Sequence, residues 1–190
     1  MNQVLQRTMA GAASGFVATI PMSAVMLAGL PFFPRSQRRL PPKEITWNLA
    51  GKVRMRQALQ HPDRPRSHVI ATLNHFGYGT AVGAIYPWAA QKLRAPAVAK
   101  GMGFGLLVWA VSYLGWLPAA DVRHSSLRDA PTRNIVMIAA HLVWGGSLAW
   151  LYRQVEPIHL RPTKRQRAVS SSRTRAGRDR AISPDPVQAD

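Results

Sequence analysis

Four stretches of this sequence, residues 8–34, 69–91, 101–120 and 134–152, contain no Asp, Glu, Lys or Arg, so every charge lies in the segments between them. As a helix rising about 1.5 Å per residue, each matches the roughly 30 Å apolar layer of a bilayer. The pattern predicts an all-α integral membrane bundle of four transmembrane helices, with spans at about 8–30, 69–90, 101–119 and 134–152 in a membrane domain of residues 1–159. The first span ends at Pro31-Phe32-Phe33-Pro34, where two prolines stop a helix beside aromatic rings suited to an interface. Pro21 falls inside it, with Thr19 and Ser23 near enough to satisfy the carbonyl that a proline leaves free. The short basic turn 91–100 makes spans two and three a hairpin.

Between the first two spans, residues 35–68 carry nine basic residues. Pro41-Pro42-Lys43-Glu44 resembles a helix start there, with proline in the first turn and an acid at the positive end. An amphipathic helix over about 43–60 follows, its apolar positions Ile45, Leu49 and Val53 opposed by Lys52, Arg54 and Arg56. It suits the headgroup plane, and equally a solvated loop. Residues 160–190 are polar, basic and nearly free of aromatics, a composition that cannot bury enough apolar area to offset ordering, and they are expected to be disordered.

Charge changes the picture only through its placement. With 25 Lys+Arg against 8 Asp+Glu the net charge is +17, a balance that in a soluble chain suggests nucleic acid. Here the basic residues border uncharged spans, so the expected partner is the lipid bilayer, with anionic headgroups at the basic loop and tail and no specific nucleic acid. A mean hydropathy of −0.10 averages the two kinds of segment and conceals both. The loop 35–68 and the chain after Tyr152 hold nine basic residues each, so the positive-inside rule is nearly balanced. The tail favours cytoplasmic N- and C-termini. The first charge-free run, 27 residues long, exceeds the core of a secretory signal and is expected to be a retained helix. There is no cysteine, which excludes disulfides and thiolate chemistry.

Each span carries a small-xxx-small pair: Gly11 with Gly15, Gly79 with Gly83, Gly101 with Gly105, and Gly145 with Ala149. Lipid offers helices no hydrophobic drive to associate, so close backbone approach at such pairs is what holds a bundle together, and the same faces would serve a homo-oligomer. The second and fourth spans echo each other at an offset of 66: His75, Tyr78, Gly79, Gly83 and Tyr86 align with His141, Trp144, Gly145, Ala149 and Tyr152. If the echo is a duplication, two two-helix units are related by an axis along the membrane normal.

Gly101-Met102-Gly103-Phe104-Gly105 through Trp109, Ser112, Tyr113 and Leu117-Pro118 resembles the YagU-like bacterial inner-membrane proteins. So do His75-Phe76-Gly77-Tyr78-Gly79 and Ala18-Thr19-Ile20-Pro21-Met22-Ser23. The resemblance covers residues 10–152 loosely and implies location and helix count. That family is of uncharacterised function, so no catalytic residue follows from it.

His75 and His141 are the polar residues within the spans that most need a role. The simplest is an N–H bonded to a carbonyl or hydroxyl of the next helix. The alternatives are proton handling and cofactor-binding as a bis-histidine haem or metal pair. No carboxylate falls in any span and no hydrolase, metalloprotease, phosphate-loop or dinucleotide motif occurs, so neither catalytic residues nor a cofactor nor a metal is expected. The reading is a non-enzymatic structural or interaction membrane protein. A small transporter or proton-linked channel using His75 and His141 is the alternative, and bis-histidine binding the third.

Overall fold

The computed structural model describes residues 2–35, 41–52, 65–91, 95–120 and 129–155, and all regular structure among them is helical. Four long helices and one short one make it up: α1 (Gln3–Gly29), α2 (Pro41–Lys52), α3 (Pro65–Gln91), α4 (Ala97–Ala110) and α5 (Pro131–Val155). A 3-10 turn, Leu30–Phe32, follows α1, and α4 continues through a π-helical turn, Val111–Trp116, and a last turn, Leu117–Ala119. The expected tail 160–190 and the second half of the amphipathic helix, 53–60, lie outside the described residues.

Proline sets most of the starts. Pro41, Pro65 and Pro131 each open a helix, where the missing N–H is not needed and the fixed φ is already helical. Asn2 caps α1, its Oδ1 accepting from the Val4 amide at 3.1 Å. The helices overrun the charge-free runs, since α1 begins at Gln3, α3 at Pro65 and α5 extends to Val155. Polar residues at interface depth are compatible with helix, and charge alone marked the runs too narrowly.

α1, α4 with its continuation to Ala119, and α5 are long and apolar enough to cross a membrane. α3 has the length, 27 residues, but is not among them. Asn74, His75, three glycines, Thr80 and Pro87 dilute its apolar content. The expected count of four spans is therefore carried by three helices on composition.

α1 runs unbroken through Pro21. Thr19 Oγ1 donates to Gly15 O and Ser23 Oγ to Thr19 O, each at 2.8 Å, so neither hydroxyl serves Val17, whose carbonyl the proline frees. The small pairs form two seams. Gly11 meets Gly83, and Gly15 meets Gly79 and Gly83, so α1 and α3 pack antiparallel; Gly101 meets Gly145 and Ala149, and Gly105 meets His141 and Gly145, so α4 and α5 do likewise. A Cβ added at Gly83 would lie 2.7 Å from Gly15 Cα, which is backbone against backbone.

The two hairpins join along α1 and α5, while α3 and α4 meet only sparsely. Ala18, Met137, Ala140 and Leu148 are fully buried in that centre. Trp144 Nε1 crosses it to Gly15 O at 3.3 Å. On the outside Leu73 and Ile135 are each 65% exposed, the inversion expected where the surroundings are lipid. α2 packs on α3. Thr46 and Ala50 are buried in that contact, Asn74 Nδ2 donates to Thr46 Oγ1 at 3.2 Å, and Arg133 Nη2 donates to Glu44 Oε2 at 2.8 Å.

Candidate functional site

Where α3 and α4 part, a cavity of about 440 Å³ remains. Its back is α1 and α5, through Thr19, Met22, Met26 and Trp144, and its sides are α3 and α4. Ile45 and Leu49 of α2 close one end. Both singled-out histidines reach it, His75 from the side wall and His141 from the back. Their settings differ. His141 is 5% exposed, shares a hydrogen with Met137 O at 2.8 Å on its own helix, and meets Tyr113 edge-on at 5.9 Å. His75 Nε2 is buried and has no hydrogen-bond partner among the described residues. Neither imidazole bonds a group on the neighbouring helix, as the simplest sequence reading had it.

The π turn shapes the opposite wall. A wider turn shifts the residues after it around the helix axis, and here it buries Ser112 and Tyr113 against the cavity. Ser112 Oγ lies 2.8 Å from Tyr78 Oη, a hydroxyl pair that spans the α3–α4 gap. Either oxygen can donate; whichever does, the other keeps its own hydrogen for a third group. Thr80, by contrast, spends its hydroxyl on Phe76 O of its own helix.

The eight small residues hold the frame and do not line the ligand space, Gly79 excepted. The 66-residue echo has spatial counterparts. Tyr86 and Tyr152 meet edge to face at 5.7 Å, and Tyr78 and Trp144 each reach across to the other hairpin, one to Ser112 and one to Gly15. Sequence reasoning missed the Tyr78–Ser112 pair, although the alignment of Tyr78 with Trp144 already matched two aromatics of the same polar reach. It missed the π turn, for which the sequence carries no distinct signal.

Chemically, the cavity offers neutral hydrogen-bonding groups on apolar walls. Among the described residues no Asp, Glu, Lys or Arg lines it, and no three His, Asp, Glu or Cys side chains gather as a metal site would require. Of the two histidines, His141 bonds through Nδ1 to Met137 O, which leaves its Nε2 uncommitted, and His75 Nε2 is without a partner among the described residues.

No curated protein and no solved structure matches the chain. A family match covers residues 21–150, which include every residue lining the cavity except Thr19. Spanning about two thirds of the sequence, that match places the chain in the family described as "Protein of unknown function (DUF1440)".

Proposed function

We propose that this chain is a four-span protein of the bacterial inner membrane, of the YagU-like kind, that binds a small lipophilic molecule inside its helix bundle without transforming it. The cavity between α3 and α4 carries this reading: it is of ligand-pocket size, lined mostly by apolar side chains, and has in its wall an imidazole nitrogen without a partner among the described residues. The fourth span is supported by the antiparallel seam along which α3 follows α1. Scaffolding through the small residues is the weaker reading, because those faces are turned inward against one another. Assembly of copies would need another surface.

Gly77 supplies the test, since it lines the cavity and a Cβ there would meet nothing within 4 Å. Gly77→Leu should therefore fill the space without disturbing a seam. Binding of a solvatochromic lipophilic dye to the purified protein in detergent should be saturable, one per chain, and abolished by Gly77→Leu. Gly103→Leu, equally unobstructed but outside the cavity, should leave it intact. Equal binding by both variants would overturn the assignment of this cavity as the site.

A further inference from the structure

The chemistry of the walls narrows the ligand. Resting on the reading above, we propose that the cavity takes the head of a neutral lipophile bearing a carbonyl oxygen, which enters from the bilayer between α3 and α4 and accepts a hydrogen bond from His75.

Neutrality follows from the lining. Among the described residues no charged side chain faces the space, so an ionised head would leave water for walls that offer it no counter-charge, a cost that membrane proteins meet with a paired residue. A pure hydrocarbon would leave the polar groups idle: His75 Nε2 is buried and without a partner among the described residues, and the Tyr78–Ser112 pair retains one hydroxyl hydrogen. A neutral imidazole carries one N–H, and an oxygen acceptor placed between it and the hydroxyl pair satisfies both donors. A carbonyl, with two lone pairs and no hydrogen of its own to place, can accept from both the imidazole and the hydroxyl pair that line this cavity.

The route follows from exposure. Leu73 and Tyr78, on the wall beside the gap, are 65% and 42% exposed, so the cavity opens sideways. The end toward the polar loops is covered by α2, held to α5 through Glu44 and Arg133. A ligand arriving from water would meet that cover, whereas one dissolved in the bilayer meets the open side.

The test uses the full-length protein in phosphatidylcholine vesicles and three diazirine probes of equal chain length, ending in a methyl ketone, a carboxylate or a plain alkyl group. The ketone should label the α3 and α4 segments around Gly77 and Ser112 at roughly tenfold lower concentration than the other two, the scale of one hydrogen bond within a membrane. His75→Phe should remove that advantage while leaving alkyl labelling unchanged, and His75→Gln, which keeps a donor, should restore much of it. Preferred labelling by the carboxylate, or a ketone advantage that survives in His75→Phe, would overturn the ligand class and leave the cavity reading standing. Labelling by all three probes that is indifferent to Gly77→Leu would overturn the cavity reading itself.

Discussion

Gly15 shows how much one residue can carry. Its missing side chain lets α3 approach, with a Cβ there falling 2.8 Å from Gly83 Cα, and its carbonyl accepts both Thr19 Oγ1 and Trp144 Nε1. A methyl group at this place must push helix backbone apart, because no flexible side chain stands there to yield. Gly15→Ala should therefore cost about 1–3 kcal/mol, the usual range for overpacking. Gly103→Ala, facing open space, should stay within roughly 0.5 kcal/mol. Reversible unfolding in mixed micelles, followed by helical circular dichroism, would compare them; equal losses would mean that the seam contributes nothing. Small residues four apart share a helix face, and this made all four pairs visible along the chain. Which pair met which was not visible, since two glycines look alike to any partner. Likewise His75 was conspicuous as a polar residue in an apolar run, but its lack of a partner depends on atoms from α1 and α4 that are distant in sequence.

At the scale of elements, the helices followed from charge-free runs and their proline boundaries, while their irregularities did not. An α turn and a π turn both keep apolar residues apolar, so Val111–Trp116 leaves no periodic trace even though it decides what Ser112 faces. What α2 packs against was hidden for a related reason. Its moderate stripe of Ile45 and Leu49 says nothing of Arg133, the residue 89 positions away that Glu44 finds, which is only 2% exposed and also lies over the Phe33 ring at 5.8 Å. Removing that carboxylate takes one charged partner from a well-buried guanidinium, and breaking such a pair costs about 3 kcal/mol. Glu44→Gln, with Glu44 itself partly exposed, should release α2 more than it destabilises the long helices. The check is hydrogen exchange, in which amides of residues 41–52 should lose protection while those of α1 and α5 keep it. Uniform loss across the chain would mean that α2 is integral to the core.

For the whole molecule, helix count and topology are one question. α1, α4 with its continuation, and α5 cross on composition, and if α3 crosses with them both termini lie on the same side. Reporter fusions at residues 1 and 190 should both score cytoplasmic; reporters on opposite sides would remove α3 from the spans. The near-equal basic counts of the loop and tail explain why the sequence left orientation so finely balanced.

The two hairpins repeat one design and then depart from it, since α1 and α5 are tightly joined while α3 and α4 stand apart. This difference also sets the mechanics of the molecule. Glycine seams bring backbones into contact along their length and resist separation, whereas α3 and α4 are bridged by side chains: the Tyr78–Ser112 hydrogen bond in the cavity, the Tyr86–Phe104 ring contact at 5.4 Å and Lys100 Nζ donating to Ala90 O at 3.1 Å. Thermal motion should concentrate on the softer side, each hairpin swinging as a stiff blade about the α1–α5 spine. For the proposed guest, exchange would then need a swing of the two blades that parts the Tyr78–Ser112 hydroxyls, with no glycine seam opening.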